Sequence, residues 1–207
     1  MCGRFCLDAD LDAVIKHFGL KQNVVLTPRY NIAPNQVVPV IRKLGQLEFL
    51  NWGLRPAWLN PEHNAFINAR LETLTEKPAF KQSFQRRRCL IIANGYYEWR
   101  QIGNIKQPYF IRLPQRELFA FAGVWDGDSC TIITMSAQQV EIKAVHERMP
   151  LVLQPQVYEQ WLNPSVNSAA IQNLIHNNTL QKFLISPVST QVNSPKHDFA
   201  TCMQPLQ

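Results

Sequence analysis

The chain has 207 residues, 46% apolar and 17% charged, with a net charge of +6 and a pI near 9.2. That predicts one globular domain spanning residues 1–207, with a sizeable core and a basic excess compatible with a nucleic-acid partner. No apolar run is long enough to span a bilayer, and no basic segment leading into an apolar core opens the chain, so a cytoplasmic protein is expected rather than a membrane or secreted one.

The chain opens Met1-Cys2-Gly3-Arg4-Phe5. Residues 10–18 predict a short amphipathic helix: Asp10 caps it, Leu11, Val14, Ile15 and Phe18 line one face, and Gly19 ends it. Residues 28–36, with two prolines and two asparagines, predict a loop. Strands follow over 37–42 and 47–52, turning at Gly45-Gln46, and residues 53–58 form a loop carrying Trp58 as an exposed aromatic. A short strand over 65–68 ends at Asn68-Ala69-Arg70, and a helix over 71–86 breaks at Pro78. The run Arg86-Arg87-Arg88 reads as a solvated face or a phosphate contact.

An apolar strand over 89–93, a tight turn at Asn94-Gly95 and a strand over 96–100 come next. Gly103-Asn104 turns the chain into 109–113, and further strands cover 118–125 and 131–136. A loop over 145–150 leads into the apolar run 151–153. Helices are expected over 155–162 and 168–176, then a last strand over 183–189 and an irregular tail from Gln191. Short strands dominate, helices are peripheral and βαβ alternation is absent. The expected fold is α+β, with a curved, mostly antiparallel, barrel-like sheet.

Chemistry concentrates at the N-terminus. Loss of Met1, expected because the second side chain is small, leaves Cys2 with a free α-amine beside its thiol. An α-amine titrates near pH ~8, so part of it is a neutral nucleophile at physiological pH. It condenses with an aldehyde to an imine, and the thiol two carbons away can close a thiazolidine on it. Alternatively the amine serves as base while the thiol attacks an acyl carbon. Gly3 allows close approach, and Arg4 supplies a cation that favours the thiolate and attracts phosphate. The bland alternative is that Cys2 is a small buried apolar residue.

Other candidates carry the same ambiguity. Glu98 shares a strand face with Tyr96 and Arg100, and a carboxylate among aromatics can act as acid or base; an exposed strand glutamate is the alternative. His146, in a polar loop before a proline, is a proton shuttle or a solvated histidine. Asn68 and Arg70 point the same way, toward a substrate oxygen and a phosphate, or are a turn asparagine and a surface arginine. Trp58 is a base-stacking platform or a buried loop tryptophan. Cys2, Cys6, Cys89, Cys130 and Cys202 are odd in number and irregularly spaced, which predicts reduced thiols and no metal site.

Eight stretches in order resemble one family: residues 1–5, 29–34 (Arg-Tyr-Asn-Ile-Ala-Pro), 52–58 (Trp-Gly-Leu-Arg-Pro-Ala-Trp), 67–73 (Ile-Asn-Ala-Arg-Leu-Glu-Thr), 94–99 (Asn-Gly-Tyr-Tyr-Glu-Trp), 107–110, 121–125 and 146–153. They resemble the SRAP family of SOS-response-associated peptidase-like proteins, which process abasic sites. The resemblance implies binding of abasic sites in single-stranded DNA and a thiazolidine crosslink through Cys2. It implies that Glu98 assists sugar-ring opening and crosslink reversal, that His146 aids imine formation and lyase-type elimination, and that Asn68 positions Cys2 and the sugar oxygen. DNA contacts implied are Arg4, Asn31, Pro34, Trp58, Arg70, Thr134 and Arg148. It implies no cofactor, action as a monomer, and replication-fork proteins as further partners. Some family members have two consecutive tryptophans where this chain has Trp58-Leu59, which removes one stacking surface. Two rival readings stay open: a class II glutamine amidotransferase, which also opens Met-Cys-Gly, and a non-enzymatic single-strand-binding module.

Overall fold

Two sheets organise the computed structural model, which describes residues 2–21, 25–60, 62–115, 117–180 and 182–206. The first sheet runs β13 (Leu184–Pro187), β8 (Ile105–Arg112), β7 (Gly95–Ile102), β1 (Phe5–Leu7), β2 (Arg29–Ile32). The second runs β11 (Arg148–Pro150), β10 (Ser129–Ser136), β4 (Gln46–Trp52), β3 (Val37–Lys43), β6 (Arg88–Ala93), β9 (Phe119–Asp126) and β12 (Val152–Leu153), with β5 (Asn68–Arg70) alongside β10. Because β10 pairs with both β4 and β9, the strands β10, β4, β3, β6 and β9 close into a ring. Closure satisfies backbone edges that an open sheet would leave exposed. Pairing is mostly antiparallel; β10 is parallel to β4 and to β5. The expected α+β, barrel-like architecture is what the chain adopts.

The N-terminal segment is welded to this barrel by aromatic packing. The Phe5 ring meets Trp52 of β4 edge-on at 5.1 Å and Phe121 of β9 at 5.5 Å. All three are fully buried, and each contributes on the order of 2–3 kcal/mol by leaving water. Phe5 thereby anchors Cys2, three residues upstream.

Helices lie outside the strands: α1 (Leu11–Phe18), α2 (Pro78–Arg86), α3 (Val140–Val145), α4 (Tyr158–Leu162) and α5 (Ser168–Asn177). α1 forms as the sequence predicts. Asp10 accepts from the Ala13 N–H at 2.7 Å, and Gly19 ends the helix at φ 61°, a left-handed conformation glycine adopts without strain.

Several expectations change. Residues 29–32 are strand β2, not loop, because β1 pairs with them (Phe5 opposite Ile32) and the Asp198 carboxylate takes the N–H groups of Tyr30 and Asn31. Asn94-Gly95 is not a hairpin turn: β6 and β7 belong to different sheets, and the chain crosses between them there. Gly95 is required at that crossing, since a Cβ would stand 2.3 Å from the Phe110 ring. The strand expected at 65–68 falls at 68–70, and Phe66 instead bridges Leu54. Pro78 starts α2 rather than breaking a longer helix, as its missing N–H allows. Residues 140–145, given no element, form α3. The tail from Gln191 folds into short 3-10 turns over Thr190–Asn193 and Ala200–Met203.

The basic run divides: Arg86 is exposed, Arg87 half-buried and Arg88 buried. Arg88 is only 2% exposed, and its guanidinium is spent on the carbonyls of Trp161, Phe84, Gln85, Asn163 and Val166. It meets neither solvent nor phosphate. Arg87 pairs with Asp126 at 3.5 Å.

Candidate active site

The start of β1 delivers Cys2 into the molecule rather than to its surface. The Tyr97 N–H of β7 holds the Arg4 carbonyl at 2.9 Å, and Cys2 is fully buried. β5, held against β10 with Asn68 opposite Ile132, brings the Asn68 side chain to the same place. Its Nδ2 donates to the Cys2 carbonyl at 2.8 Å. Met1 lies outside the described residues.

Glu98 enters from β7. Strand alternation puts it on the face shared with Tyr96, and it is 2% exposed. Burial is the main reason its carboxyl is pushed up to about 7. The same burial, with the Glu98 charge adding to it, pushes the Cys2 thiol well above the ordinary range. The expectation that Arg4 favours the thiolate is therefore not met. The Arg4 guanidinium is directed elsewhere, donating to Asn31 Oδ1 at 2.9 Å, the Val192 carbonyl at 2.8 Å and the Asn193 carbonyl at 3.4 Å.

His146 stands where α3 ends: its N–H closes on the Ile142 carbonyl at 2.8 Å. The Arg148 N–H donates to its Nδ1 at 3.0 Å, which puts the proton of the neutral ring on Nε2. Partial burial holds the imidazole below its usual range. Gly3, Arg4, Glu98, Trp99, His146 and Asn193 line one cleft of about 560 Å³. So Cys2, Asn68, Glu98 and His146, from four distant parts of the sequence, meet at one locus.

The remaining expected contact residues divide by burial. Trp58 is 62% exposed, Arg70 is exposed, and Pro34 is half-buried. Asn31 and Thr134 are fully buried and offer no side-chain surface to a ligand. The Asn31 amide donates to the carbonyls of Val192, Ser194 and His197 while its oxygen holds Arg4. Thr134 accepts from Arg148 through its carbonyl at 2.7 Å and its hydroxyl at 3.3 Å. Arg148, 8% exposed, is gripped on its other side by both Glu72 oxygens, at 3.1 and 2.9 Å. Asn31 and Thr134 thus position arginines.

Sequence reasoning gave no role to Asn193, Trp99 or Glu72. Trp99 donates to Asn193 Oδ1 at 2.7 Å, and Arg4 lies 6.0 Å from the Trp99 ring centre. No local signal marks Asn193, because it reaches the cleft only through the fold of the tail. All five cysteines are free and buried. Among the described residues no group of three His, Cys, Asp or Glu side chains is gathered as a metal site, and no helix is long and apolar enough to cross a membrane.

A model of the family described as SOS response associated peptidase (SRAP) matches residues 1–195. The chain belongs to that family. Among SRAP relatives, it is 36% identical to abasic site processing protein YoqW of Bacillus subtilis, over 96% of each chain. It is 29% identical to abasic site processing protein HMCES of Xenopus tropicalis, over 85% of this chain and 65% of that one. A crystal structure of a protein from Bacteroides thetaiotaomicron superposes with a TM-score of 0.85 at 26% identity, covering both chains fully. The SRAP match includes every residue of the cleft, and the tail beyond residue 195 supplies the His197 carbonyl and the Asp198 carboxylate that hold β2.

Proposed function

We propose that this SRAP protein processes abasic sites in single-stranded DNA by joining them covalently to Cys2 once Met1 has been removed. One observation carries the reading: Asn68 holds the Cys2 carbonyl while Glu98 and His146 face the cleft that also contains Gly3 and Arg4. Two nucleophiles of one residue would then stand beside two acid–base groups. The relatives named abasic site processing proteins support the choice of substrate.

The order of steps follows from the protonation states. The ring-opened deoxyribose carries an aldehyde at C1′. The Cys2 thiol is held protonated, so the neutral α-amine attacks first. As the N–C bond forms, the carbonyl π pair moves onto oxygen, His146, neutral with its titration depressed, donates to that oxygen from Nε2, and one amine proton passes to it. Glu98, titrating at about 7, then protonates the departing hydroxyl, which leaves as water, and the imine forms. The carboxylate so produced takes the thiol proton as sulfur adds to the imine carbon. That proton restores the Glu98 carboxylic acid, and the nitrogen, protonated in the imine, keeps the second proton of the original amine, so the balance is one aldehyde and one aminothiol in, one thiazolidine and one water out.

We attach the finer activities to the same groups: lyase-type elimination from the imine to His146, crosslink reversal to Glu98. Arg4 and Arg70 take phosphates, Trp58 and Pro34 stack against the kinked strand, and Asn31, Thr134 and Arg148 act by holding the cationic wall. We further propose that residues 1–207 act as a single domain and as a cytoplasmic monomer without cofactor, with replication-fork proteins as additional partners.

The test is intact mass and a denaturing gel on protein mixed with single-stranded DNA carrying one abasic site, with undamaged DNA beside it. A heat-stable adduct formed only with the abasic site, on protein lacking Met1, is expected. Equal non-covalent binding to both DNAs without an adduct would overturn the reading in favour of a single-strand-binding module.

A further inference from the structure

Tyr96 stands on β7 two residues before Glu98, and strand alternation turns both side chains to the same face. It pairs with Phe5, three residues after Cys2. It is fully buried, its ring fixed edge-on against Phe121 and Phe183 at centroid distances of 6.1 and 6.2 Å. Its hydroxyl has no hydrogen-bond partner among the described residues. Buried tyrosine hydroxyls ordinarily find one, and leaving such a group unpaired costs on the order of 1–3 kcal/mol. Phenylalanine would make the same ring contacts without that cost, so packing does not account for the oxygen. A second polar atom is held back at the Cys2 backbone: Asn68 donates to the Cys2 carbonyl, but its Oδ1 also has no partner among the described residues. Burial first, then the charges of Cys2 and Glu98, raise the Tyr96 phenol well above its ordinary range. It therefore stays a neutral O–H donor wherever the site is active.

We propose that the Tyr96 hydroxyl is a catalytic hydrogen-bond donor, taking the oxygen of the substrate aldehyde as the Cys2 amine adds to its carbon. The inference rests on the covalent reading of the site given above. As the N–C bond forms, the C=O π pair becomes charge on oxygen. Tyr96 stabilises that charge by hydrogen bonding and keeps its own proton. The proton that completes the hydroxyl comes from the amine, and the one that expels it as water comes from Glu98. A donor already desolvated, rigid and unpaired needs no reorganisation at that moment. The division of labour is clear: Tyr96 polarises the carbonyl, and Glu98 moves protons.

Tyr96→Phe removes one oxygen atom and tests this with three measurements. The first is the single-turnover rate of adduct formation on a single-stranded oligonucleotide with one abasic aldehyde, followed across the titration of Glu98. The second is binding of the same oligonucleotide carrying a tetrahydrofuran analogue, which has no aldehyde. The third is Tm. The expected result is a rate about a hundredfold lower with an unchanged pH profile, unchanged analogue binding, and a Tm equal to or above wild type because the unpaired group is gone. A wild-type rate, a lowered Tm, or a loss of analogue binding matching the loss of rate overturns the assignment. If wild-type protein forms no adduct, the covalent reading itself fails, and the wild-type lane alone reports that.

Discussion

Arg88 and Glu98 are equally buried, each 2% exposed, yet their surroundings treat them in opposite ways. Arg88 reaches five backbone carbonyls, of Trp161, Phe84, Gln85, Asn163 and Val166, one for each guanidinium N–H. Nothing around it is left to do, and the arginine ties α2 and α4 to β6. Around Glu98, burial carries the carboxyl to about 7, and the neighbouring Tyr96 hydroxyl and Asn68 Oδ1 lack partners among the described residues. A completed polar network specifies structure; one left incomplete at a cleft keeps its capacity for a ligand.

The contrast can be broken at either end. The largest effect is expected from Cys2→Ala, which should abolish the covalent adduct on a denaturing gel and leave part of the non-covalent binding seen by fluorescence anisotropy. Residual adduct of wild-type amount would move the nucleophile elsewhere. Arg88→Ala should leave five carbonyls short of a donor and destabilise the fold by roughly 3–5 kcal/mol in chemical denaturation. Its crosslinking rate per folded molecule should match wild type; a specific loss of rate would erase the distinction between the two clusters.

Glu98→Gln sharpens the comparison through pH. The Glu98 carboxyl titrates at about 7 in the fold and near 4.5 when exposed. Between those values the folded state binds more protons, so its contribution to stability is present at low pH and lost as pH rises through the window. Glutamine removes that loss. The variant's stability relative to wild type should rise by on the order of 2–3 kcal/mol from the acid side of the window to the neutral side, while adduct formation slows. A pH-independent stability difference would place the charged carboxylate in a solvated environment.

On the exposed flank effects should be smaller. Trp58→Ala should weaken binding of single-stranded DNA by roughly 1–3 kcal/mol if a base stacks on the ring; unchanged affinity would return Trp58 to an ordinary surface residue. Arg70→Ala should lower the slope of log affinity against log salt by about 0.7, the signature of one lost phosphate contact on a single strand. An unaltered slope removes Arg70 from the interface.

What the sequence determined by itself was whatever rests on local pattern. α1 with its Asp10 and Gly19 caps, the β3–β4 hairpin, the turn at Gly103-Asn104 and the exposure of Trp58 each follow from neighbours a few residues apart. The Met-Cys-Gly-Arg start and the ordered motifs named the family, and alternation along β7 singled out Glu98. Tertiary structure decided the rest. β1 and β2 exist because they pair with each other across more than twenty intervening residues and because Asp198 returns to hold the N–H groups of β2. Arg4 is aimed by a carbonyl 188 positions away, and Asn31 and Thr134 are turned inward to hold arginines. Whether a buried polar atom is satisfied depends on partners from several distant segments at once. No periodicity in the sequence records that, which is why Arg88 and Glu98 were both visible as residues, and only the fold separated the structural one from the candidate for chemistry.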